Sequence, residues 1–107
     1  MFKAGVDIVL NSRFDKYKED SSFLEKVFHP FELKDKKKMI SIFALKEAFM
    51  KAIGRKINWK DIEVTYDSFG KPILNISDFG EGLKKVDGSA SHDGEYTIAF
   101  VVIELEE

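Results

Sequence analysis

Cysteine is absent from the chain, which excludes a disulfide framework, a thiolate nucleophile and a Cys-bound zinc or iron–sulfur site. The two histidines, His29 and His92, lie far apart without metal-site spacing. Charge of one sign is also lacking. Seventeen Lys and Arg nearly balance nineteen Asp and Glu, for a net charge of −2, which counts against a strongly basic nucleic-acid binder. No apolar run is long enough to span a bilayer, and the opening MFKAGVDIVL lacks the apolar core and small-residue cleavage site of a secretory signal. A soluble cytoplasmic protein, with neither a nucleic-acid nor a membrane partner, is the simplest expectation. At 107 residues, positions 1–107 have room for a single domain that gains stability readily from partner subunits.

What the chain does hold is ten phenylalanines among an ordinary apolar share, enough for a packed core. Residues 2–10, FKAGVDIVL, read as a buried strand interrupted by Gly5 and carrying one acid, Asp7. Asn11 or Ser12 is placed to cap a helix start. Residues 21–28 read as a short helix with Phe23, Leu24 and Val27 inward, and His29-Pro30 breaks it. FELKDKKK leads into a long helical pattern over about 39–53 that Gly54 ends. From Asp61 the period becomes two, with Ile62, Val64 and Tyr66 on the dry face of a strand. DSFGKP is turn chemistry and residues 73–76 return as a strand, while 77–86, SDFGEGLKKV, reads as a glycine-interrupted helix. The segment 88–105 carries a hairpin signal, with Asp93-Gly94 fitting a type I′ turn. A strand, several helices and then three or more strands predict an α+β fold, a mainly antiparallel sheet packed against a long central helix.

Two acids stand out. Turning the 39–53 helix at about 100° per residue puts Glu47 and Lys51 on one side with Ile40, Phe43, Ala44 and Ala48. A helix apolar nearly all round is a buried helix, which would screen both charges from bulk water. The plainer reading is an i,i+4 ion pair, worth about 0.2–0.5 kcal/mol when exposed. The sharper one starts from the cost of an ionised carboxylate in an apolar setting, which calls for a cation. Asp7 poses the same problem between Val6 and Ile8, unless it faces outward on an edge strand. One or two carboxylates with substrate phosphates and water suit Mg²⁺, and Lys51 would meet a phosphate as a point charge.

Taken together, GVDIV at 5–9, FALKEAFMKA at 43–52, DIEV at 61–64, GKP at 70–72 and SASHDGEY at 89–96 resemble the holo-(acyl-carrier-protein) synthases. These are the small, stand-alone branch of the 4′-phosphopantetheinyl transferases. The resemblance covers nearly the whole chain in order. It implies the 4′-phosphopantetheinyl transferase fold and transfer of the phosphopantetheine arm of coenzyme A to a serine of apo acyl carrier protein, releasing 3′,5′-ADP, in fatty acid biosynthesis.

By the same resemblance Asp7 and Glu47 bind Mg²⁺, Lys51 contacts the coenzyme A phosphates, His92 lies near them, and Arg13 faces the carrier protein. Lys71, in GKP, is a further candidate for coenzyme A. Lys16, Lys18 and the run Lys36-Lys37-Lys38 read as solvated surface, and His29-Pro30 as a helix start. Trp59 reads as a core or interface residue. The resemblance also implies a homotrimer with active sites between subunits. A transferase for polyketide or peptide-synthetase carriers, or a non-catalytic relative that binds carrier protein or nucleotide, are the competing readings.

Overall fold

The computed structural model describes residues 1–77, 79 and 82–107. Strand β1 (Phe2–Leu10) leads into helix α1 (Asn11–Phe14), which continues as a 3₁₀ turn at Asp15–Tyr17. Helix α2 (Ser21–Val27) follows, then 3₁₀ turns at Pro30–Leu33 and Lys36–Lys38. The long helix α3 (Met39–Ile53) is succeeded by a 3₁₀ turn at Trp59–Asp61 and by strands β2 (Ile62–Tyr66), β3 (Pro72–Ile76), β4 (Leu83–Asp93) and β5 (Tyr96–Leu105). The α+β expectation holds. No helix among the described residues is long and apolar enough to cross a membrane.

β5 is the centre of an antiparallel three-stranded sheet, flanked by β1 and β4. β2 and β3 form a separate antiparallel ribbon. Alternate residues of β5, namely Thr97, Ala99, Val101 and Ile103, are buried on the side where α3 crosses the sheet. Ala44, Ala48 and Ala52 as well as Ile42, Leu45 and Phe49 of α3 are buried, so the helix is covered on both flanks, as its composition requires. Gly54 ends it with φ 76°, its N–H donating to the Met50 carbonyl at 2.9 Å. Trp59 stacks on Phe43 with ring centroids 5.4 Å apart, half-buried against the edge of the core.

Five local expectations are corrected. Of the helix expected at 77–86, residues 83–86 are strand β4, while positions 78, 80 and 81 lie outside the described residues. Leu83 and Val86 have helical i,i+3 spacing, but a β-bulge between Leu83 and Lys85 restores them to one face, opposite Leu105 and Ile103. A bulge adds one residue to the strand count, and that extra residue mimics a helical period. Neither Asn11 nor Ser12 caps a helix, because α1 starts at Asn11 behind Leu10 without a side-chain cap, and the Asn11 amide oxygen accepts a bond from Thr97 instead.

The hairpin corner sits one residue later than Asp93-Gly94. Asp93 pairs with Tyr96, leaving Gly94, at φ 57°, and Glu95 as the corner. β1 is buried on one side only: Phe2, Val6 and Ile8 are exposed on the other, since α3 covers a single face of the sheet. Lys51, expected to be screened, has a side chain 53% exposed, because α3 is uncovered at that point near its end.

Candidate functional site

The site begins with Gly5. A Cβ there would clash with the Ala48 carbonyl and come within 2.6 Å of the Ala52 backbone nitrogen. The missing side chain therefore lets β1 lie directly against α3, a role that its reading as a strand interruption did not contain. Two residues on, Asp7 projects from the same face as Gly5, toward the helix rather than outward. Its carboxylate accepts a hydrogen bond from Lys51 Nζ at 3.0 Å across 44 positions of sequence.

Glu47 stands one turn before Lys51, yet the i,i+4 pair does not form. Glu47 Oε1 lies instead 3.7 Å from Lys56 Nζ. Both carboxylates are mostly screened, with side chains 12% and 19% exposed for Asp7 and Glu47. Each is paired with a lysine whose own side chain is mainly in solvent, so either lysine can leave at little cost.

An open hollow of about 350 Å³ lies beside this cluster, lined by Glu47, Met50, Lys51, Gly54, Arg55 and Lys56. One acid, Glu47, and three cations, Lys51, Arg55 and Lys56, thus line a space accessible to solvent, and Asp7 adjoins it through its bond to Lys51. Such a mixture suits a polyanion that arrives with a hard cation. Among the described residues no group of three or more His, Asp or Glu side chains is placed to hold a metal ion, and Asp7 and Glu47 are the two screened carboxylates on this side of α3. That donor set fits Mg²⁺, which keeps several waters and takes substrate oxygens as further ligands. Arg55 and Lys56 were not singled out by the sequence; they follow the helix cap, and no period relates them to Glu47.

His92 does not line the hollow. It sits on β4 opposite Thr97, on the helix-facing side of the sheet like Asp7, with β5 between them. Two strand spacings and a two-residue offset along the strands put their Cα atoms about 12 Å apart. Its Nδ1 lies 2.8 Å from Thr97 Oγ1 and its Nε2 3.1 Å from Ser41 Oγ. Nothing in the sequence marks Ser41 or Thr97 as partners of His92, and Asn11 reads there as a helix cap, because each lies in a different element and only the sheet register and the packing of α3 assemble them.

Lys71 is tied to β4, donating to Asp87 Oδ1 at 2.7 Å and to the Gly88 carbonyl at 3.1 Å. That hydrogen bond holds the Asp87 carboxyl below the usual carboxylate range, against a small opposing effect of burial. Arg13 is exposed on α1, and among the described residues it has no ion-pair partner. Neither Lys71 nor Arg13 borders the hollow.

The truly buried charges are elsewhere. Lys46 and Glu32, both fully screened in their side chains, pair at 2.7 Å. Lys46 also donates to the Val27 carbonyl at 2.7 Å, and Glu32 accepts from the backbone N–H groups of His29 and Val64 at 2.8 Å each. His29-Pro30 does start a short helical turn, with Pro30 at its first position, and that turn aims Glu32 inward.

The family model of the 4′-phosphopantetheinyl transferase superfamily matches residues 3–101. The holo-[acyl-carrier-protein] synthase of Geotalea daltonii is 37% identical, over 97% of this chain and 98% of its own. That of Geobacter sulfurreducens is 35% identical over the same shares, 97% and 98%. A crystal structure of the Helicobacter pylori holo-[acyl-carrier-protein] synthase in complex with coenzyme A is similar at a TM-score of 0.83 and 32% identity, covering 94% of this chain and 99% of that one. The Bacillus anthracis synthase, in complex with CoA (3′,5′-ADP), is similar at a TM-score of 0.79 and 33% identity, covering 97% and 96%.

Proposed function

Because the chain belongs to the 4′-phosphopantetheinyl transferase superfamily, we propose that it is a holo-(acyl-carrier-protein) synthase, one transferase domain over residues 1–107 serving fatty acid biosynthesis in the cytoplasm. It transfers the 4′-phosphopantetheine group of coenzyme A to a serine of apo acyl carrier protein. The serine oxygen forms a bond to the pantetheine-bearing phosphorus, the pyrophosphate P–O bond breaks, and 3′,5′-ADP leaves. The observation that carries this reading is the contact of Asp7 with Lys51 from two distant segments, one helical turn from Glu47 and beside an open, cation-rich hollow.

Phosphoryl transfer asks a protein for positioning and charge stabilisation more than for covalent chemistry. Asp7 and Glu47 would hold Mg²⁺, which supplies charge neutralisation at the pyrophosphate. Lys51, half in solvent and bonded to Asp7, turns to the phosphate oxygens as a point charge. Arg55 and Lys56 add positive field at the mouth of the hollow. Glu47, directly or through a water, takes the serine proton. His92 and Lys71 contact coenzyme A, and Arg13 faces the acidic carrier protein.

The outer face of the sheet supports assembly into a homotrimer with active sites between subunits. Val6 lies opposite Phe100 and Ile8 opposite Ile98, and with Phe2 and Tyr96 these side chains form an apolar surface on β1 and β5 that α3 does not cover. Sedimentation equilibrium is expected to give three times the chain mass. A monomer at micromolar concentration would reject the assembly.

The decisive experiment incubates the protein with coenzyme A, Mg²⁺ and apo acyl carrier protein and weighs the carrier by intact-mass spectrometry. A phosphopantetheine adduct is expected, lost when Mg²⁺ is chelated. No adduct across several carriers would reject the activity. An adduct with full rates in both Asp7→Ala and Glu47→Ala would keep the activity and reject the metal assignment.

A further inference from the structure

His92 is held by a chain of side chains drawn from four elements. Thr97 on β5 stands directly opposite it, Asn11 follows the end of β1, and Ser41 lies in the first turn of α3. Thr97 is buried, with 1% of its surface exposed, so water does not compete for its hydroxyl. That hydroxyl donates its single proton to Asn11 Oδ1 at 2.7 Å. Its oxygen is then left as an acceptor, and the partner at 2.8 Å, His92 Nδ1, has to be the donor. The proton of the neutral ring is therefore on Nδ1. The lone pair is on Nε2, where it accepts from the Ser41 hydroxyl at 3.1 Å.

The second histidine shows the opposite arrangement. His29 Nε2 lies 2.8 Å from the Lys60 carbonyl, which has no proton to give, so His29 carries its proton on Nε2. The chain's only two histidines therefore present opposite tautomers. The difference comes from the partner each ring meets.

We propose that Thr97, with Asn11 behind it, is a positioning residue that holds His92 through its Nδ1–H and so aims Nε2, beside Ser41, at the phosphates of coenzyme A, where Nε2 takes up a proton and donates it to a phosphate oxygen. The proposal rests on the reading of His92 as a coenzyme A contact. Ser41 precedes Glu47 by six residues on one helix, a rise of about 9 Å, which sets Nε2 to one side of the Asp7–Glu47 cluster at the span of a pyrophosphate with its neighbouring phosphate. A proton gained at Nε2 leaves the Nδ1 bond intact, and the Ser41 hydroxyl has only to rotate its own proton away to leave the Nε2–H to the phosphate. A ring free to flip would present the other nitrogen in part of the population.

The test uses the full chain labelled with ¹⁵N-histidine. Long-range ¹H–¹⁵N correlation spectra report the tautomer of each ring, with His92→Gln to assign them. His92 is expected as Nδ1–H and His29 as Nε2–H. Thr97→Val, close in shape but without the hydroxyl, is expected to abolish the Nδ1–H preference and to raise KM for coenzyme A about tenfold, in line with the loss of a histidine's orienting partner. Thr97→Ser is expected to restore both.

If Thr97→Val does not fold, Asn11→Ala gives the same readout from a half-buried position outside the core, because it frees the Thr97 proton to face Nδ1. An Nε2–H form of His92 in the unaltered protein, or unchanged spectra in the variants, would overturn the positioning role even if His92→Gln weakens coenzyme A. Conversely, an Nδ1–H ring together with an unchanged KM in His92→Gln would reject the coenzyme A contact itself and the proposal with it.

Discussion

Helix α3 carries two lysines five residues apart that face nearly opposite ways, and each is paired with a distant carboxylate. Lys46 meets Glu32 where neither side chain is exposed, and every charged atom of that pair is engaged by backbone or by its partner. Lys51 meets Asp7 with its own side chain 53% exposed, and among the described residues no second bond holds its ammonium. The same chemical pair thus serves two ends. In the dry pair any movement leaves an unpaired charge in a low dielectric, so it stays fixed. The wet pair can exchange one partner for a phosphate or a cation at small cost. Burial is also why Lys46 is pushed below the usual lysine range, with the Glu32 hydrogen bond opposing it.

The contrast can be broken most forcefully at the dry pair. Lys46→Met strands the Glu32 carboxylate and is expected to cost about 3–5 kcal/mol of stability, read as a shift of the urea midpoint. Adding Glu32→Gln to the same chain is expected to recover part of that loss, because it removes the stranded charge while the amide oxygen keeps one of the two backbone bonds. A loss below about 1 kcal/mol for Lys46→Met would mean that water reaches the pair.

The wet site is expected to respond in the opposite way. Glu47→Gln should lower phosphopantetheine transfer about 100-fold, or about 2.7 kcal/mol, with the thermal midpoint unchanged or slightly raised. A stability loss matching the activity loss would place Glu47 among the structural charges and erase the distinction.

The smallest effect is expected at the exposed Lys71–Asp87 pair. The lowered Asp87 carboxyl contributes stability that is complete above the ordinary value of 3.8 and is lost as pH falls through the folded-state value. Lys71→Met is expected to raise the Asp87 titration midpoint, followed by carboxyl NMR, back toward 3.8. Above pH 5 it should leave stability nearly untouched, since the pair is solvent-screened.

Much of the architecture was legible in the sequence because it is set by short-range rules. The limits of α3, its cap at Gly54, the alternation of β2 and the β4–β5 hairpin all follow from a few neighbouring residues. Errors came where another segment intervened. Leu83 and Val86 carry a helical spacing that a bulge against β5 converts to one face of a strand. Asn11 has the composition of a helix cap, but its side chain is taken by Thr97 across the sheet. The helical spacing points to Glu47 and Lys51 as the screened charges, whereas the buried ion pair lies at Lys46 and Glu32.

The sequence by itself determined the elements, their order and the presence of the acids and lysines from which a site is made. Only the tertiary structure decided which lysine is dry. α3 is apolar almost all round, so its periodicity points no polar residue outward or inward; what packs on each side decides. The Pro30–Leu33 turn brings Glu32 to Lys46 across 14 positions, and Gly5 lets β1 deliver Asp7 to Lys51 across 44. Helical propensity acts within a turn or two, whereas the environment of a charge is set by whatever distant chain lies against it.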